Sequence, residues 1–128
     1  DHISQMPRGL TAIKSLQDQN VVLAAGADNV RDPFNTMGRS DPFETAALMV
    51  MAGHQTPQDA FDLVSVNARK AMGLEKAALE IGDVADFVAV EAPSLGTALA
   101  DAPMNRRVFK EGILVAASDQ RTVIYRGL

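Results

Sequence analysis

The sharpest chemical feature of this sequence is Gly26-Ala27-Asp28-Asn29, where a carboxylate directly follows the apolar run Val21-Val22-Leu23-Ala24-Ala25-Gly26-Ala27. A continuous apolar run reads as a strand covered on both faces of a parallel sheet. Ligands gather at the C-terminal ends of such strands, because the loops there vary while the strands hold their first residues rigidly. Asp28 is therefore placed for general-base work or for metal ligation. The same aspartate can also form an Asx-turn or cap the loop that follows, and spacing alone leaves the two readings level.

The rest of the chemical inventory is thin. His2 and His54 are the only imidazoles. His54 falls between two predicted helices and reads as structural, its ring set against the carbonyls of a helix C-terminus. His2 stands near the start, where order is least expected. The sequence holds no His-x-His pair, no His-Glu-x-x-His, no nucleophile elbow and no P-loop, so it does not assemble a complete metal or nucleophilic site on its own. Arg31, Asp32 and Arg39 are within reach of a substrate in principle, but an Arg- and Asp-rich solvated loop explains them as well. The six methionines, Met49 and Met51 among them, read as core filler.

These residues need elements to hold them. Leu10, Ala12, Ile13 and Leu16 share one side of a helical wheel and predict an amphipathic helix over residues 9–19. After a polar loop over residues 28–41, Asp41-Pro42-Phe43-Glu44 combines an N-cap acid, a proline at the first helical position and an acid at the third. It predicts a helix running to about Gly53. Thr56-Pro57-Gln58-Asp59 repeats the signal, for a helix interrupted or re-capped near Asn67 and ended by Gly73. Beyond Ile81 the signature is antiparallel β, with strands expected at residues 86–90, 107–110, 113–116 and 122–125. A tight turn is expected at Lys110-Glu111-Gly112, and a short helix after Pro93, ended by Pro103.

Composition narrows the class. The 128 residues carry a net charge of −4, which offers nothing to nucleic acid or to an anionic membrane. With no cysteine, thiolate metal sites, disulfides and thiol nucleophiles are excluded, and any metal falls to His, Asp or Glu. No apolar run approaches the roughly 18 residues of a membrane span. The start lacks the pattern of a signal peptide, so a cytoplasmic location is expected. The first residue is not Met, and the expectation is a processed product or a piece of something longer. Pairing points the same way: a lone parallel strand leaves buried N–H and C=O groups unmatched at about 1–3 kcal/mol each, so strands from elsewhere are expected.

The stretch from Val21 through Asp28-Asn29-Val30-Arg31-Asp32-Pro33-Phe34 resembles the eighth barrel strand and following loop of cytosine-deaminase-like members of the amidohydrolase superfamily. Three later stretches are similar to that superfamily's C-terminal signature: Asn67-Ala68-Arg69-Lys70-Ala71-Met72-Gly73-Leu74, Ile81-Gly82-Asp83-Val84-Ala85-Asp86-Phe87-Val88-Ala89-Val90, and Val108-Phe109-Lys110-Glu111-Gly112-Ile113-Leu114-Val115. The resemblance implies an α/β fragment. Residues 1–75 would be the last part of a (β/α)8 barrel, and residues 76–128 the C-terminal strands of a small β-sandwich.

It further implies a metal-dependent hydrolase that deaminates cytosine or a related cyclic amidine, with metal-activated water as nucleophile. Asp28 matches the aspartate that ligates or neighbours the metal and shuttles protons. Asn29 stands where cytosine deaminases usually carry a second aspartate that reads the substrate, and an amide there can both donate and accept. The cofactor implied is a divalent metal, zinc or iron, with its other ligands absent from this chain. The partner is a small heterocyclic substrate, together with further copies of the chain or a missing N-terminal part. The alternatives are a hydrolase of cyclic amides and a non-catalytic assembly module.

Overall fold

A computed structural model describes residues 9–125, so His2 lies outside the described residues. The elements in chain order are α1 (Ile13–Gln17), α2 (Pro42–Met51), α3 (Pro57–Val64), α4 (Val66–Ala71), β1 (Phe87–Val90), α5 (Leu95–Asp101), β2 (Arg106–Lys110) and β3 (Ile113–Ser118).

The helices start where local chemistry starts them. The Asp41 side chain accepts from the Phe43 N–H at 3.0 Å, with Pro42 in the first turn. Thr56 accepts from the Asp59 N–H at 3.2 Å and its hydroxyl donates to the Asp59 carboxylate at 2.6 Å, a reciprocal cap on α3. The interruption expected near Asn67 comes at Ser65, whose φ of −123° and ψ of −96° leave the helical region. Its hydroxyl bonds back to the Phe61 carbonyl at 2.6 Å. Gly73, at a φ of +67°, closes α4 as expected of a C-terminal glycine.

Packing follows from the apolar faces. Phe43, Ala46 and Met49 of α2, Ala60 and Leu63 of α3, and Ala98, Leu99 and Ala102 in and after α5 form one core cluster, which draws on both sides of residue 75. Gly53 lets α1 approach the end of α2: a Cβ there would stand 2.6 Å from the Met49 carbonyl oxygen and 2.8 Å from Ile13 Cδ1.

The sheet has strand order β1-β2-β3, antiparallel throughout. Phe87 and Phe109 are register partners whose rings stack at 4.5 Å. The turn between β2 and β3 places Glu111 at φ +51° and Gly112 at φ +78°, the two positive values that a tight hairpin turn requires. Arg106 ties the sheet to the helices. Its guanidinium donates to both Asp41 oxygens at 3.0 and 2.8 Å, donates through Nε to the Pro103 carbonyl at 2.6 Å, and lies 4.6 Å over the Phe43 ring. Burial pushes the Asp41 carboxyl up, but the Arg106 and Phe43 hydrogen bonds and the charges of Arg106 and Arg39 outweigh it and hold the group below its ordinary range.

Three expectations are corrected. The first helix covers only Ile13–Gln17, because Ala12 at its N-cap offers no side-chain cap and residues 9–12 stay outside it. Residues 21–27 form no strand within this chain alone: among the described residues they pair with no strand, and Val21 and Val22 are exposed. The Ala25 N–H donates to the Leu63 carbonyl at 2.9 Å, and Leu23 and Ala25 pack against the helical core cluster. Residues 122–125 likewise form no strand, with Ile124 and Tyr125 exposed. In both segments the sequence pattern is β while no neighbouring backbone is present to satisfy it.

Apolar side chains also remain on the surface. The exposed large hydrophobic side chains include Leu48 and Met51 on α2 and Ile113, Leu114 and Val115 on β3. No helix among the described residues is long and apolar enough to cross a membrane.

Candidate active site

The unpaired apolar segment and α2 flank a cleft of about 670 Å³, a size suited to a small heterocycle. Leu23, Met49 and Leu63 give it an apolar wall, and Asp28, Asn29 and Thr45 bring polar groups to it. Asp28 is exposed, and among the described residues its carboxylate has no hydrogen-bond or ion-pair partner. The turn-forming alternative for this residue is not what the structure shows.

The turn belongs to Asp32. Its Oδ1 accepts from the Phe34 and Asn35 N–H groups, both at 2.9 Å, and its Oδ2 accepts from the Asn29 side-chain amide. The Asn35 amide in turn donates to the Asn29 carbonyl at 2.8 Å, and its own oxygen accepts from the Met37 N–H at 3.2 Å. The Asn35 backbone bond, with help from Asn29 and Phe34, outweighs desolvation and holds the Asp32 carboxyl below its ordinary range. The loop that carries Arg31, Asp32 and Arg39 leaves both arginines exposed, as expected of a solvated loop, and is also tied to itself and to α2. Arg31 Nε donates to the Gly38 carbonyl at 3.0 Å, and Glu44 accepts from the Arg39 N–H at 2.7 Å. Sequence reasoning has no ground to rank Asp32 above its neighbours; the available signal is its spacing of three from both Asn29 and Asn35.

His54 does not join this site, nor does it meet the helix carbonyls expected of it. The last carbonyls of α2 are taken by backbone donors, with Ala52 N–H on Leu48 O at 2.9 Å and Gln55 N–H on Met49 O at 3.1 Å. His54 itself sits at φ +53° with its side chain exposed.

The superfamily-like C-terminal stretches meet at a second carboxylate. Asp86 accepts from Lys110 Nζ at 2.7 Å, from the Glu111 N–H at 2.9 Å and from Arg69 at 3.2 Å. The Lys110 bond comes first among the causes that lower its pKa from 3.8 to about 2, followed by the Glu111 N–H, with Arg69 also contributing. With all its partners in place, Asp86 is a structural junction between α4, β1 and the hairpin.

Among the described residues no three His, Cys, Asp or Glu side chains come together to hold a metal ion. Asp28 is a single carboxylate, so the described residues do not by themselves fit a metal centre. Searches of curated proteins and of solved structures each returned no match. Residues 2–122, however, match the family model of the amidohydrolases, and with that match over nearly its whole length the chain belongs to the amidohydrolase family.

Proposed function

We propose that this chain is the C-terminal part of a cytosine-deaminase-like amidohydrolase, acting on cytosine or a related cyclic amidine, with Asp28 as its catalytic carboxylate and Asn29 as a substrate-binding residue. The observation that carries the reading is the Asp28 carboxylate, without a partner among the described residues, in a cleft of about 670 Å³ at the end of an apolar segment that lacks strand neighbours there. An unpaired carboxylate is free to move protons. Water oxygen bonds to the amidine carbon while Asp28 takes one of its protons. Asp28 then gives that proton to the exocyclic nitrogen, the C–N bond breaks, and ammonia leaves. The remaining hydroxyl becomes the ring carbonyl as its proton passes to the ring nitrogen.

The family generally uses a divalent metal. Zinc or iron with Asp28 as one ligand is part of the proposal, the other ligands lying outside the described residues. Also proposed is that residues 21–27 form the last strand of a (β/α)8 barrel whose neighbours cover Val21 and Val22, and that residues 76–128 belong to an adjoining β-sandwich.

The test is ammonia release by the enzyme that contains this chain, assayed on cytosine and on hydantoin-type cyclic amides, with and without a chelator. Chelator-sensitive ammonia release from cytosine supports the reading. Ring opening of the cyclic amides without ammonia release from cytosine replaces it with cyclic-amide hydrolysis.

A further inference from the structure

We propose that Asp32 is a positioning residue that sets substrate specificity: it locks the Asn29 amide so that Asn29 faces the cleft as a hydrogen-bond acceptor, selecting substrates that carry an N–H donor there. The proposal rests on the amidohydrolase reading of the cleft and adds the polarity of its recognition edge. The geometry begins with the bond between the Asn29 side-chain amide and Asp32 Oδ2. A carboxylate only accepts, so the group that Asn29 turns toward Asp32 has to be its NH₂. Asp32 is itself immobilised, because its other oxygen holds the Phe34 and Asn35 N–H groups at 2.9 Å each. Asn35 fixes the Asn29 backbone from the other side, donating to its carbonyl at 2.8 Å.

With one N–H held on Asp32, which does not itself line the cleft, the Asn29 amide keeps a second N–H and its Oδ1, and the bond fixes Oδ1 on the side away from Asp32. Asp28 beside it offers only acceptor oxygens when ionised, so acceptors predominate on the edge that this pair turns to the ligand. A ring N–H or an amino group satisfies such an edge, whereas a carbonyl or a bare ring nitrogen leaves it unpaired.

Asp32→Asn reverses the lock. The one oxygen of the substituted side chain is still needed by the Phe34 and Asn35 N–H groups, so its NH₂ turns toward Asn29, and Asn29 rotates to present its own NH₂ to the cleft. The experiment compares kcat/KM of the metal-loaded enzyme containing this chain on cytosine and on its analogues methylated at the ring or the exocyclic nitrogen, for wild type, Asp32→Asn, Asn29→Ala and the double variant. The expected result is that Asp32→Asn lowers kcat/KM for cytosine about tenfold or more, and that this loss disappears for the analogue whose methyl group replaces the recognised N–H. Asn29→Ala gives the same analogue-dependent pattern, and Asp32→Asn adds little on that background.

An equal loss on cytosine and on every analogue would mean that Asp32 only holds the loop, and would overturn the proposal, as would no loss at all. If Asp32→Asn does not fold, Asn29→Ala decides by the same criterion. Wild-type enzyme inactive on the whole series overturns the deaminase reading itself, a failure distinct from an active enzyme that shows no analogue dependence.

Discussion

Replacing Arg106 by alanine removes the one side chain that bonds the start of α2 to the sheet. Two charge-assisted hydrogen bonds to Asp41, one to the Pro103 carbonyl and the contact over the Phe43 ring are lost together. Breaking a fully buried ion pair costs about 3–5 kcal/mol. Here the side chains retain 18% and 12% exposure, which lowers the expected loss to about 2–3 kcal/mol. Asp41→Asn isolates the charge, because asparagine caps a helix about as well as aspartate; its expected cost is about 1–2 kcal/mol. The double variant should then be less destabilised than the sum of the two by about 1–1.5 kcal/mol, since each single change already breaks the pair. Urea unfolding of the four proteins, read as midpoint shifts at constant slope, measures the coupling. Losses that add within about 0.5 kcal/mol would show that the bidentate pair contributes nothing beyond its separate parts, and would refute the reasoning.

Other consequences follow from particular contacts. Gly53→Ala puts a methyl group against the Met49 carbonyl and Ile13, so about 1–3 kcal/mol should be lost in thermal unfolding; an unchanged midpoint would mean that α1 does not pack there. Asp86 has its folded pKa depressed from 3.8 to about 2, so its contribution is fully present above the unfolded value and is lost as pH falls from about 4 toward 2. Asp86→Asn should therefore flatten that part of the stability–pH curve, and an acid limb that stays as steep as in wild type would contradict the junction drawn around Asp86.

What the sequence made legible was local. The starts of α2 and α3 could be read because Asp41-Pro42 and Thr56-Pro57 carry their own caps, and the hairpin because Glu111-Gly112 turns within two residues. What escaped it was contact between distant residues. Arg106 meets Asp41 across 65 positions, and nothing in either neighbourhood announces the other. Asp86 lies within a signature stretch, yet only the fold shows that Arg69 and Lys110 converge on it. Residues 21–27 and 122–125 have strand-like composition and no strand, because pairing is a property of the neighbour as much as of the segment. At the candidate site, the strand-end position singles out Asp28 and leaves a turn-forming role open for it, while Asn29 is singled out only by the family resemblance. The hydrogen bonds give that turn-forming role to Asp32 and leave Asp28 without a partner among the described residues.

The central claim, that Asp28 moves the proton in an amidohydrolase reaction, is tested most directly by Asp28→Asn in the enzyme that contains this chain. The variant is close in shape and cannot accept a proton at neutral pH. The measurement is kcat for ammonia release from cytosine, with metal content determined on the same sample. The account predicts that kcat falls by roughly 10²–10⁴-fold. A variant that keeps wild-type kcat with its metal intact would contradict it.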